Sequence, residues 1–227
     1  MKKLFILAVA ACFAGSAMQA QDVLKQTGGE KNIEVLFAPF GGSPVSISGI
    51  KFRSFTTATE AIRGEVFLGF GRTLDIDDVL DNGDEVTTTR STFDVTVAGG
   101  IEFHLPGTDR LSPYYGGFLQ LGLGRESRVS DEIGFNSDFE PIIDGESSRT
   151  DGFFSIGVFG VGGFDYYFAH NIYLGAEIGF GVNFTSMFDT QFESTQGNET
   201  TSSEMPNGNS FELGPGAVGR LRLGILF

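Results

Sequence analysis

Cysteine is almost missing from this sequence, histidine is scarce, and no apolar run is long enough to cross a bilayer as a helix. The single cysteine, Cys12, lies in the first twenty residues. From Gln21 onward there is none, which excludes disulfides, thiol nucleophiles and cysteine-ligated metals. The longest apolar run, Leu4 to Ala14, falls short of the ~20 residues a membrane helix needs. Basic residues are also in short supply, with 15 Lys and Arg against 29 Asp and Glu. That balance argues against nucleic acid as a partner.

What the first twenty residues do contain is a secretory leader. Lys2 and Lys3 precede the apolar run, and Gly15, Ser16, Ala17 and Ala20 supply small residues before a cut expected after Ala20. A lipoprotein reading of Cys12 would leave only Leu4 to Ala11 as apolar core, so the ordinary leader is preferred. Residues 21–31 read as a short polar periplasmic lead-in and 32–227 as one domain. Removing Lys2 and Lys3 takes the net charge from −14 to −16. Three polar stretches, 74–90, 126–151 and 189–209, hold 18 acidic and 3 basic residues, so nearly all of that charge lies in them.

The rest of the chain alternates. In the last seventeen residues Phe211, Leu213, Ala217, Leu221, Leu223, Ile225 and Phe227 share one parity, and Glu212, Gly214, Gly216, Arg220, Arg222 and Gly224 the other. Val218 and Leu226 are apolar exceptions on the polar side. A β-strand sends alternate side chains to opposite faces, so this is a ribbon with one apolar face. Seven similar segments precede it, near 32–40, 45–56, 61–73, 91–105, 113–125, 152–168 and 172–187. A parity switch in the second predicts a bulge near Ser48 and Gly49. Connections run short, short, long, short, long, short, long. The pattern predicts an all-β, eight-stranded antiparallel up-and-down transmembrane β-barrel, with short periplasmic turns and longer outer loops.

Orientation follows from what fills the polar face. Eight strands leave room inside only for side chains, so glycine and paired ions belong there and Phe, Leu and Ile belong in lipid. The expected lumen set is Glu34, Glu65, Asp94, Glu102, Asp165, Glu177 and Glu212 with Lys51, Arg53, Arg63, Arg220 and Arg222. All five tyrosines, Tyr114, Tyr115, Tyr166, Tyr167 and Tyr173, lie beside short turns and are expected to form an aromatic girdle at headgroup level.

The terminal L-R-L-G-I-L-F and the stretch P-F-G-G-S-P-V-S-I-S-G-I-K-F-R (39–53) carry a family likeness. The chain resembles the small eight-stranded outer-membrane β-barrels of Gram-negative bacteria, the group of OmpX and the OmpA transmembrane domain. The resemblance covers about 32–227. It implies outer-membrane lipid and lipopolysaccharide as surroundings, a monomer, and recognition of terminal Phe227 by the barrel-assembly machinery. No peptidoglycan-binding domain is expected after the barrel.

Chemistry is sparse. Outer-membrane lipid A acyltransferases and deacylases are similar in size, but they use a histidine on the outer side. His104 and His170 fall at the short-turn rim, so no catalytic residue and no cofactor is expected. The acidic stretch with Asp75, Asp77, Asp78, Asp81 and Asp84 offers oxygen ligands for divalent cations but lacks EF-hand spacing, and a solvated loop is the plainer reading. The expected role is non-enzymatic: a plugged, charged lumen with acidic loops facing extracellular proteins or cations, serving envelope structure or surface interaction. The alternative is a narrow porin-like channel or small-ligand transporter through the same lumen.

Overall fold

The structure, a computed structural model, describes residues 25–38, 46–197, 199–214 and 220–227. The expected leader with Cys12, and the first turn near 41–44, lie outside the described residues. Eleven strands are present among the described residues: β1 (Lys31–Ala38), β2 (Ser46–Phe55), β3 (Glu60–Val79), β4 (Glu85–His104), β5 (Leu111–Phe135), β6 (Pro141–Ala169), β7 (Ile172–Met187), β8 (Thr190–Gln196), β9 (Glu199–Met205), β10 (Asn209–Gly214) and β11 (Arg220–Leu226).

From β1 to β7 each strand pairs antiparallel with the next. β11 pairs with both β7 and β1, which closes the sheet into a ring. β10 pairs with the outer part of β7, so β10 and β11 together form the eighth staves of the wall. The all-β, eight-stranded up-and-down barrel read from the sequence is therefore the observed architecture. Where β11 and β1 close the ring, backbone groups are bonded within the wall; further out, among the described residues, β10 pairs only with β7 and β3 beyond Val66 only with β4. The last residue takes part: Phe227 and Lys31 exchange backbone hydrogen bonds at 2.7 and 2.8 Å.

The expected bulge is present. Leu36 lies opposite Gly49 while Phe37 lies opposite Ile47, leaving Ser48 as the extra residue. Gly49 has φ 152°, and a Cβ there would approach the Val66 carbonyl oxygen to 2.9 Å. The bulge restores one parity to the whole of β2 and keeps Lys51 and Arg53 inside.

The three long polar stretches differ from the expectation of loops. β3 and β4 stay paired out to Val79 and Glu85, and β5 and β6 out to Phe135 and Pro141. β8 adds to the outer end of β6 through Gly145–Thr150, and β9 adds to β8. The stretches are acidic, but they are also rich in Thr, Ser, Val and Ile. These residues favour extended backbone and pair across strands, as Thr88 does with Ser130 at 2.9 Å. Pairing also satisfies backbone groups without needing a buried face.

Outside the ring, Ile33, Phe52, Leu68, Phe70, Phe93, Ile101, Leu119, Leu123, Phe154, Phe164, Leu174, Phe180 and Leu221 are all exposed, forming a continuous apolar belt. A water-exposed patch of that extent is foreign to soluble monomers. Inside, walls approach closely. A Cβ on Gly224 would collide with Cζ of the buried Tyr173 ring across the β11–β7 register. We predict that Gly224→Val costs about 1–3 kcal/mol through overpacking. A urea titration of detergent-folded protein, read by the gel-mobility difference between folded and unfolded barrel, should show the midpoint falling.

Candidate functional site: the closed lumen and its outer mouth

The inward parity of β1, β2, β3, β4, β6, β7 and β11 delivers ten charged side chains to one stretch of the interior. Arg53 sits at its centre. Its Nε lies 2.7 Å from Glu34, Nη1 2.9 Å from Glu102, and Nη2 2.7 Å from Asp165. Arg222 joins Glu34 at 2.9 Å and Asp165 at 2.7 Å. One level further from the turns, Lys51 bridges Glu102 at 2.5 Å and Glu177 at 3.1 Å. Arg63 meets Glu102 at 3.0 Å, Glu177 at 2.9 Å, and Glu65. Arg220 closes the set on Glu65 at 2.6 Å. Five cations face five carboxylates, and each of Arg53, Arg63, Lys51 and Arg222 contacts at least two. The charges balance locally, which is the condition under which buried ions are tolerated.

Two members of the expected lumen set stand apart. Asp94 faces inward beside Gly69 but lies nearer the outer mouth, without an ion partner among the described residues. Glu212 shares the inward parity of β10 yet is exposed, on a strand that pairs only with β7 among the described residues. Neither joins the network.

The tyrosines correct the sequence reading more sharply. Tyr115 and Tyr166 face outward, with 52% and 44% of their surface exposed, while Tyr114, Tyr167 and Tyr173 are buried in the lumen. Tyr114 donates to Glu177 at 2.5 Å, and Arg53 donates to the Tyr173 hydroxyl at 2.7 Å. Arg222 lies 5.0 Å from the Tyr114 ring centre. Of the five tyrosines expected in a girdle, only Tyr115 and Tyr166 therefore face outward, with Phe103 packed on Tyr115 at 5.5 Å. Alternation carried the signal: Tyr114 and Tyr115, like Tyr166 and Tyr167, are chain neighbours, and neighbours on a strand face opposite ways.

Beyond the ions the interior turns apolar. Phe118 and Phe159 stack at 5.2 Å beside Val161, and Arg63 lies 4.8 Å from the Phe118 ring centre. At the turn end, Phe55, Ala61 and Leu226 form a second apolar layer. Leu226, apolar on the polar parity, is explained by this contact. The lead-in is part of the barrel: Gln26 is buried in the mouth, where its amide donates to Ser112 Oγ at 2.7 Å and accepts from Tyr167 at 3.0 Å. Nothing in the polar sequence 21–31 announces this role.

Ser112 lies just before the fifth segment, 113–125, read from the sequence. It lies in β5 and not in a turn, with Oγ 2.9 Å from His104 Nδ1, and His104 Nε2 is 3.5 Å from Glu102. The series has the order of a hydrolytic triad. Gln26 covers it, however, and Glu102 is already engaged by Lys51, Arg53 and Arg63. His170 lies in the turn between β6 and β7, exposed.

The outer mouth holds a cavity of about 340 Å³ lined by Thr92, Asp94, Glu126, Asp151, Phe153 and Met187, among others. Asp75, Asp77, Asp78, Asp81 and Asp84 are spread along the β3–β4 hairpin. Asp77 accepts from Thr88, Asp78 from the Val79 amide, and Asp84 from Asn82. Among the described residues no three acidic, histidine or cysteine side chains converge as a metal site.

No family model matches the chain, and no curated protein matches it. Among solved structures it is similar to Ail, the attachment invasion locus protein of Yersinia pestis, at 14% identity and TM-score 0.37, covering 88% of this chain and all of that one. It is also similar to CarO of Acinetobacter baumannii, at 14% identity and TM-score 0.36, covering 88% of this chain and 97% of that one.

Arg53→Met takes one partner from each of Glu34, Glu102 and Asp165 and leaves five carboxylates facing four cations, and should cost about 3–5 kcal/mol in a chemical-denaturation measurement. Combining it with Glu102→Gln should cost less than the sum of the single changes. At the outer end, Asp151 is held below the usual aspartate range by hydrogen bonds from Arg149 at 2.7 Å and Thr190 at 2.5 Å. A depressed folded-state pKa stabilises the folded arrangement above the unfolded value and stops doing so as pH falls through the folded one. Protection of the Thr190 amide against hydrogen exchange should therefore be steady from neutrality down to about pH 4 and fall below it. Asp151→Asn should remove that dependence.

Proposed function

We propose that this chain is a monomeric, non-enzymatic barrel of the bacterial outer membrane, whose plugged lumen serves stability and whose outer hairpins meet the environment. The observation that carries the reading is the packing of the interior. Five cations and five carboxylates interlock across the axis, with the Phe118–Phe159 layer on one side and Gln26 on the other. A permeant ion would have to part contacts of 2.7 to 3.1 Å on several strands at once. The Ser112–His104 pair lies beneath Gln26, which occupies the place a substrate would need, so it supports no enzymatic reading.

The apolar belt supports placement in a bilayer, with the short turns periplasmic and the hairpins outside. Export through the leader and assembly through Phe227 belong to the same reading. Phe227 closes the ring beside Lys31 with its side chain turned outward, accessible to an assembly factor. Lipid and lipopolysaccharide are the surroundings this belt suits. Divalent cations are left as weak, diffuse partners of the acidic hairpins.

Planar-bilayer recording tests the plug. The wild-type protein should show no single-channel steps. Reproducible steps that change on Arg220→Ala would overturn the plugged reading in favour of transport.

A further inference from the structure

The longest hairpin ends in an apolar tip that the membrane belt does not explain. Ile133 lies opposite Ile143, and Phe135 opposite Pro141, so all four share one face. Phe139 stands in the turn between the strands, 86% exposed, and Phe135 is 68% exposed. The tip is built, not frayed. Asn136 Oδ1 accepts from the amides of Asp138 and Glu140, both at 2.9 Å, and the Phe139 amide donates to the Asn136 carbonyl at 3.0 Å. This turn holds Phe139 at φ 61°, a conformation bulky residues rarely adopt, and presents its ring to solvent.

The tip is separate from the belt. Between Leu123 and Ile133 the strand carries Arg125, Glu126, Arg128, Asp131 and Glu132. At about 3.3 Å per residue these put the tip roughly 33 Å along the strand from the last belt leucine. Its margin has one sign. Residues 131–148 contain six carboxylates and no lysine or arginine. Asp138 and Glu140 flank Phe139 directly.

We propose that this tip is a docking surface for a protein segment with an apolar centre and a lysine- or arginine-rich margin. An apolar core ringed by charge is the anatomy of a binding hot spot, and aromatic anchors at the centre carry most of its energy. The acidic margin selects a basic partner and speeds encounter. The same carboxylates oppose insertion into a lipid surface, because Asp138 and Glu140 would be dragged into the headgroup layer with Phe139. The inference rests on the hairpins facing outward, and the test keeps the two apart.

The protein in zwitterionic-lipid nanodiscs would be titrated into a labelled leucine–lysine amphipathic peptide, with empty nanodiscs as background and polylysine as a charge-only probe. Binding above background should weaken at least tenfold in the Phe135→Ser, Phe139→Ser double variant. It should lose most of its salt dependence in Asp138→Asn, Glu140→Gln. Both pairs are exposed, and an unchanged gel-mobility shift would verify folding. Equal binding by the phenylalanine variant, or polylysine bound as tightly as the amphipathic peptide, would overturn the proposal. Phosphatidylcholine-vesicle binding that depends on the two phenylalanines would reassign the tip to lipid and overturn it as well. Labelling of Ser137→Cys by an impermeant maleimide on intact cells tests the outward placement alone.

Discussion

An eight-stranded ring has no room for water around fully charged side chains, and this constraint governs the molecule. Each ion buried at the filled level of the ring must find its counter-ion within the same few ångströms, because an unpaired buried charge is costly. Arg53 meets that demand with three carboxylates from β1, β4 and β6. The strands supplying those groups are far apart in sequence, so the network forms only when the ring does. Local segments can pair as hairpins beforehand, but the central ions are satisfied together at closure. That couples the electrostatics to the topology, and makes the ion set a specification of strand order and register as much as a source of stability.

The small residues on the same parity follow from that set. Arginines and tyrosines need volume, and glycines on facing strands give it. Gly224 opposes Tyr173, and Gly175 opposes Arg222. Tyrosine is suited to these places because its ring fills space while its hydroxyl completes a carboxylate or guanidinium shell. The outward parity can then be wholly apolar, since the lumen has taken every charge the belt would otherwise carry. The interior and the lipid-type exterior are two consequences of one alternation.

The fold was legible because period-two alternation over eight segments has few other solutions, and even the bulge at Ser48 showed as a switch in parity. The ion set was legible for the same reason, apart from Asp94 and Glu212. Their parity is correct, but their height on the wall is not encoded in parity. The tyrosines were misread where a compositional habit, aromatic residues near turns, was set above alternation, which forbids Tyr114 and Tyr115 from facing the same way. Gln26 was invisible, because a single polar residue outside any strand has no period to betray its burial. The outer hairpins were hidden by their charge: acidic composition suggests solvated loops, yet Thr, Ser, Val and Ile along them carry β-pairing that needs no core.

Charge is handled in opposite ways at the two levels of the same strands. Inside the ring five cations balance five carboxylates, while the outer hairpins leave their carboxylates largely uncompensated. The difference is one of solvent. A carboxylate buried among the lumen side chains needs a partner at contact distance, whereas an exposed one on a hairpin needs none and can act through its long-range field. β5 and β6 cross from one regime to the other as one paired hairpin, from the Tyr114 level to Phe135 and Pro141, with a single register shift between Glu132 and Ile133. A closed, neutral ring then acts as a fixed base, and whatever recognition the chain performs is set by side chains on paired strands, held at defined spacing and not on mobile loops. The apolar tip makes sense in this frame: on a flexible loop Phe135 and Phe139 would collapse onto the nearest apolar surface, and the paired hairpin with its Asn136 turn keeps them apart from the belt and in the open.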